Sequence, residues 1–223
     1  MEHVIQVKRK ALAANDEAAS ELRQQFQSAG SLVVNLISSP GSGKTTLLEA
    51  TIKNLEGRLT AAVLEGDVAT ERDADRIRAL GVPAHQILTG GACHLDARQV
   101  ISALDTSQLP TSDLLFIENV GNLICPTTYD LGEDFKVAVL STTEGDDKPF
   151  KYPAIFARAE VTVITKIDLL PYLPFDMAAV KDHLASLNPS AAIFEVASTT
   201  GEGVGDWVNY LEARLDTKRN AGI

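Results

Sequence analysis

The run Ile37-Ser38-Ser39-Pro40-Gly41-Ser42-Gly43-Lys44-Thr45-Thr46 joins the apolar stretch Leu32-Val33-Val34-Asn35-Leu36 to the helix-favouring Leu47-Leu48-Glu49-Ala50. A strand that turns sharply into a helix offers free amide N–H groups and a positive dipole end, which together hold phosphate. Gly41 and Gly43 permit the tight backbone path, with Ser42 and Thr46 in the same cradle. Lys44 can reach the outer phosphates, and the Thr45 hydroxyl is placed to ligate Mg2+. The strict pattern asks for glycine where Ser38 stands.

Carboxylates follow at two further strand ends. Asp113-Leu114-Leu115-Phe116-Ile117 runs into Glu118-Asn119-Val120-Gly121-Asn122. Glu118 can hold Mg2+ directly or through water, and the Gly121 N–H can sense a γ-phosphate, so that loss of the phosphate would release this loop. Ala61-Ala62-Val63-Leu64 ends in Glu65-Gly66-Asp67 and continues to Asp73; Asp67, then Asp73, are the candidates for aiding Mg2+ and positioning the attacking water. Thr70 is placed to cap the following helix.

Base choice falls to Thr165-Lys166-Ile167-Asp168. A carboxylate at Asp168 can accept both guanine N1–H and N2–H, the stem of Lys166 can cover the ring, and Ser198 belongs to an Ala-Ser element that brings a backbone N–H near guanine O6. This favours GTP over ATP, although Thr165 stands where the usual guanine signature has asparagine. Cys93-His94, in a glycine-bearing loop, and Cys125, four residues past Gly121, carry the thiolate and imidazole groups that Ni2+ and Zn2+ prefer. Three ligands leave a fourth to water, a carboxylate or a second chain. His3, His85 and His183 lack such company and read as structural or solvated. Because Gly121 and Cys125 share one short segment, nucleotide hydrolysis is expected to alter metal affinity.

The elements that must place these groups are apolar runs at Leu32-Ile37, Leu59-Leu64, Leu114-Ile117, Val137-Leu140, Val161-Ile164 and Ala192-Val196, with helices at Thr45-Leu55, Thr70-Leu80, Asp96-Leu104, Asp176-Leu187 and Val204-Leu215. Continuous rather than alternating apolar strands separated by helices predict a three-layer α/β domain of the P-loop NTPase kind, its mainly parallel sheet covered on both faces and its ligands at the carboxyl ends of the strands. Residues 1–30 read as an amino-terminal helical arm, helical over Ala11-Phe26, and 31–223 as the GTPase domain. Thirty acidic residues against 20 basic ones give a net charge of −10, which argues against a nucleic-acid surface. No apolar run reaches the roughly 20 residues a membrane span needs, and the amino end lacks a signal-type core, so a cytoplasmic, membrane-free protein is expected. The 2 cysteines are expected to hold metal or lie buried rather than form a disulfide.

Taken together, Ser-Ser-Pro-Gly-Ser-Gly-Lys-Thr-Thr, Leu-Glu-Gly-Asp, Gly-Gly-Ala-Cys-His-Leu-Asp-Ala, Glu-Asn-Val-Gly-Asn-Leu-Ile-Cys-Pro and Thr-Lys-Ile-Asp-Leu-Leu resemble the nickel-incorporating hydrogenase maturation GTPases, HypB. The resemblance implies a slow GTPase that forms a GTP-dependent homodimer and helps deliver nickel to the large subunit of a [NiFe] hydrogenase. It also implies that Cys93, His94 and Cys125 form a Ni2+ or Zn2+ site at the dimer interface, and that Lys44, Thr45, Asp67, Asp73 and Glu118 serve nucleotide and Mg2+. Some members carry a nickel-binding cysteine- or histidine-rich segment at the amino end; residues 1–30 hold only His3, so the interface site is the one expected, and the helix becomes a candidate dock for the companion nickel-binding maturation protein. Two alternatives compete. The urease nickel-delivery GTPase resembles this chain but typically separates its Cys and His by a proline, whereas Cys93 and His94 are adjacent. A nucleotide-binding metal carrier or scaffold with negligible turnover would share the same residues.

Overall fold

The computed structural model describes residues 2–55, 57–67 and 72–221, with side chains for 10–55, 57–66 and 72–221. The side chains of His3 and Asp67, and the whole of Thr70, lie outside that range. Helix α1 (Glu2–Ala29) leads into β1 (Leu32–Ser38), α2 (Lys44–Leu55), β2 (Ala61–Asp67), α3 (Arg72–Arg78), β3 (Ala84–Leu88), α4 (Ala97–Ser107) and β4 (Leu114–Glu118). The second half runs through β5 (Phe135–Ser141), α5 (Lys148–Lys151), α6 (Pro153–Arg158), β6 (Val161–Thr165), α7 (Met177–Leu187), β7 (Ala192–Val196) and α8 (Val204–Ala221).

The described strands form one seven-stranded parallel sheet in the order β3-β2-β4-β1-β5-β6-β7. Its centre is buried on both faces, which is why β1, β4 and β6 are buried at every position and read as unbroken apolar runs. Successive side chains go to opposite sides. Leu32, Val34 and Leu36 of β1 pack with Phe116, Val137 and the α2 and α8 residues Leu48, Ile52, Trp207 and Leu211. Val33 faces the other way, into a cluster with Leu115 and Ile117, Ala19, Leu22 and Phe26 of α1, and Ala97 and Val100 of α4. Helix α1 thus covers a sheet face through its second half.

Six of the seven strands coincide with apolar runs in the sequence; β3 does not. It is an edge strand, Ala84-His85-Gln86-Ile87-Leu88, buried only at Gln86 and Ile87. A half-exposed strand this polar lacks the unbroken apolar run that marks the inner ones. Its position matters, because β3 delivers the Thr89–Leu95 loop to the carboxyl edge of the sheet. Helices α5 and α6 are also absent from the sequence pattern: at 4 and 6 residues, with a proline second in α5 and first in α6, they are too short to develop a periodicity. Asp96 caps α4 through a reciprocal pair, its side chain accepting from Gln99 N at 2.8 Å while Asp96 N donates to Gln99 Oε1 at 2.9 Å.

Candidate nucleotide and metal site

The parallel register sets the site. Leu36 lies opposite Glu118, Glu118 opposite Glu65, and Ser141 opposite Thr165, so five strands finish along one edge. A cavity of about 510 Å3 opens there, lined by Gly41, Lys44, Thr45, Glu65, Glu118 and Gly121 among others. Gly41 and Gly43 take φ of 76° and 91°, angles costly for any side chain. Ser38 has no such angle, which explains why serine can stand there. Its hydroxyl instead accepts from Lys44 Nζ at 2.9 Å, holding the lysine over the cavity. A Cβ on Gly121 would lie 2.9 Å from Pro40 Cγ and 3.0 Å from Pro40 Cα, so the segment after β4 rests directly on the phosphate loop.

Thr45 Oγ1 donates to Glu118 Oε1 at 3.1 Å, and Lys44 Nζ stands 3.8 Å from the same oxygen. The other Glu118 oxygen and Glu65 Oε1 are buried without a hydrogen-bond partner within the protein. Orphaned carboxylate oxygens beside a threonine hydroxyl are a donor set that suits Mg2+, and Thr45 and Glu118 are the residues that would hold it. Asp73 also lines the cavity, paired with Arg76 at 3.2 Å. Arg76 bonds Glu49 and Thr46 as well and puts a guanidinium at the rim.

Glu65 and Arg76 were not candidates in the sequence reading. Glu65 carried a signal, being the last residue before a glycine at a strand end; Arg76 had none, since only the fold turns it toward the cavity. Burial, and next the Glu118 carboxyl alongside, push the Glu65 pKa up to about 10. Glu118 is raised too, by burial, with Lys44 pulling it back. The stability that neutral Glu65 contributes is complete below its ordinary value of 4.5 and is lost as pH climbs toward about 10. Glu65→Gln, neutral throughout, is therefore expected to gain stability over wild type as pH rises, by about 3 kcal/mol between pH 6 and 8. Urea unfolding of the nucleotide-free protein at several pH values measures it, and a pH-independent difference would refute the assignment.

A second cavity, about 190 Å3, adjoins the first and is lined by Gly43, Thr165, Lys166, Asp168 and Ser198. Asp168 and Ser198 therefore line the same cavity beside the phosphate loop. Lys166 adopts φ of 60° and donates through Nζ to Gly41 O at 2.8 Å, stretching its stem across the phosphate loop. Thr165, in place of the usual asparagine, donates to Ser42 O at 2.6 Å and so keeps the base loop tied to the phosphate loop.

Cys93, His94 and Cys125 converge, their ligand atoms all within 4.8 Å of one another. Cys93 Sγ lies 3.5 Å from His94 Nδ1, and the imidazole stacks on Tyr129 with 3.8 Å between ring centroids. Hydrogen bonding to Cys125 raises the Cys93 pKa, and burial lowers that of His94, which keeps the ring neutral and able to coordinate. His183, read as structural, stacks on Phe150 at 3.9 Å. Two asparagines that sequence reasoning passed over join the cavity to this cluster. Asn119, 1% exposed, accepts from Leu95 N at 3.2 Å and donates to Asn35 of β1 at 3.2 Å. Asn122 donates to Cys93 O at 3.2 Å and accepts from Ile124 N at 2.8 Å.

The profile of the CobW/HypB/UreG nucleotide-binding domain matches residues 32–195. The hydrogenase maturation factor HypB of Azotobacter vinelandii is 48% identical over 220 residues, spanning 99% of this chain and 73% of that protein. The crystal structure of HypB from Helicobacter pylori in complex with nickel superposes with a TM-score of 0.86 at 42% identity, over 93% of this chain and 96% of that one. The HypB structure from Archaeoglobus fulgidus gives 0.84 at 40% identity, over 92% and 100%. Among the described residues no helix is long and apolar enough to cross a membrane.

Proposed function

The chain belongs to the HypB family of hydrogenase maturation factors, and from that premise we propose that it is a GTP-hydrolysing nickel chaperone whose nucleotide gates its metal. It takes up Ni2+, or Zn2+ in its place, on Cys93, His94 and Cys125, and assists nickel insertion into a [NiFe] hydrogenase together with a companion nickel-binding maturation protein. A second copy of the chain, paired in the GTP state, completes the coordination. The observation that carries this reading is the pair Asn119 and Asn122, which fasten the Cys93–His94 loop to the segment between Glu118 and Cys125.

In this reading Lys44 and the loop amides bind the phosphates, Thr45 and Glu118 hold Mg2+, and Asp168 selects guanine with Ser198 beside it. Bound Mg2+ neutralises phosphate charge. Asp67 and Asp73 orient the attacking water. Gly121, seated on Pro40, reports the presence of a γ-phosphate; movement there pulls on Cys93 O through Asn122 and on Leu95 N through Asn119.

Equilibrium titration with Ni2+, run with GDP and with a non-hydrolysable GTP analogue alongside solution mass, tests the proposal. The analogue is expected to produce a dimer and to change Ni2+ affinity by about 5-fold or more, the range of ordinary allosteric coupling. Identical affinities would sink the gating. Phosphate release separates the enzyme from a carrier: turnover that disappears in Thr45→Ala supports a GTPase, and no turnover in wild type with metal binding intact supports the scaffold.

A further inference from the structure

Both limbs of the metal cluster end on α1. The first limb, Cys93-His94-Leu95-Asp96, enters α4 at Ala97; the second, Cys125 to Tyr129, ends at Asp130. Asn15 of α1 takes hold of each. Its Nδ2 donates to Asp130 O at 2.8 Å and its Oδ1 accepts from Ala97 N at 2.9 Å, spanning 115 and 82 residues of sequence. The side chain is 4% exposed, so donor and acceptor are matched away from water. Arg23, two helical turns on, fixes the Asp130 carboxylate at 2.7 Å. Between Asn15 and the cluster lies a cavity of about 180 Å3 lined by Ala14, His94 and Tyr129.

We propose that Asn15 is a positioning residue for the metal site, making α1 the support that holds Cys93–His94 and Cys125 at coordinating distance. Asn119 and Asn122 hold the first limb from the nucleotide side and the second is a short 3-10 turn, but Cys93 itself is exposed, and of these three asparagines it is Asn15 that bonds the ends of both limbs. Metal ligands bind well only when their own partners hold them still, and loss of such a partner typically costs 10–100-fold in affinity. One amide that clamps the end of each limb is such a partner, placed outside the ligand set and outside the nucleotide cavity. Loosening α1 therefore loosens the metal while leaving the phosphate loop in place.

This inference rests on the metal reading above, and the test separates the two. Ni2+ is titrated into full-length wild type, Asn15→Ala, Asn15→Asp and the exposed control Asp16→Ala, following the nickel–thiolate absorption band. Asn15→Ala is expected to bind Ni2+ at least 10-fold more weakly, with GDP affinity within about twofold of wild type. Asp16→Ala should match wild type, and Asn15→Asp, which keeps the acceptor for Ala97 N but loses the donor to Asp130 O, should fall between. Capture of Cys93 and Cys125 together by a dithiol-reactive arsenical should drop in Asn15→Ala, a readout of how the two thiols are held that does not depend on Ni2+. If wild type binds no Ni2+, the metal reading fails and takes this inference with it. If wild type binds and Asn15→Ala binds equally well with its GDP affinity intact, the support role alone is wrong. Should Asn15→Ala not fold, Asn15→Asp decides by the same comparison: affinity equal to wild type overturns the role.

Discussion

Replacing Lys44 with alanine is expected to lower kcat/KM for GTP by about 100-fold or more, the loss seen when a preorganised charge-stabilising donor is removed. The preorganisation is visible in the bonds the chain itself makes. Lys44 is only 7% exposed, yet its ammonium is already held by Ser38 Oγ at 2.9 Å and lies 3.8 Å from Glu118, so little side-chain freedom remains to be lost on binding. A guanidinium would not substitute, because its planar fork cannot occupy the point-like niche beside Ser38, so Lys44→Arg should fail to rescue. Stability should change less than activity. Burial already raises the Glu118 pKa while Lys44 draws it down; without the lysine, Glu118 takes up a proton instead of remaining an unpaired buried charge. Because the neutral form is then the stabilising one, any deficit should widen as pH rises. Steady-state phosphate release and thermal unfolding at pH 6 and pH 8 measure both, and a drop in kcat/KM of less than about threefold would count against Lys44 as the phosphate-contacting cation.

Most of this arrangement was legible in the sequence wherever a residue type is demanded by its own local geometry. The phosphate loop announces itself because Gly41, Gly43 and Lys44 are needed within a few residues of one another, and inner strands announce themselves because both faces are buried. Cys93 and Cys125 stood out as the chain's 2 cysteines. What could not be read were residues whose role comes from distant chain. Glu65 becomes unusual only when β2 is placed beside β4 and its carboxyl meets Glu118. Asn15, Asn119 and Asn122 are common residue types in unremarkable local settings, and their bonds run to 115, 84 and 29 residues away. Edge strand β3 was hidden for the opposite reason: half its surface faces solvent, so polar side chains are tolerated and the apolar run disappears. Thr165 is a further case, since a threonine where the guanine signature has asparagine gives no local sign that its hydroxyl reaches Ser42 O at 2.6 Å.

Cys125→Ala should weaken Ni2+ binding by about 100-fold or more, more than the loss of a supporting residue, because the proposed site then loses one of its three candidate ligands outright. The fold should survive: Cys125 is half-buried and opens a short 3-10 turn whose buried residues are Pro126 and Thr127. GDP affinity of the metal-free variant should stay within about twofold of wild type, since no atom of Cys125 lines the nucleotide cavity. The pH dependence identifies which groups bind. A thiol ordinarily titrates near about 8.5 and must lose its proton to ligate, and the bond to Cys125 raises Cys93 further. His94 is lowered by burial and is neutral already at pH 7. Between pH 6.5 and 8, log affinity for Ni2+ in wild type should therefore rise by about two per pH unit, one proton for each thiol displaced. In Cys125→Ala the slope should fall to about one. An unchanged slope would mean that Cys125 does not surrender a proton to the metal, and the cluster would have to be rebuilt around Cys93 and His94 alone.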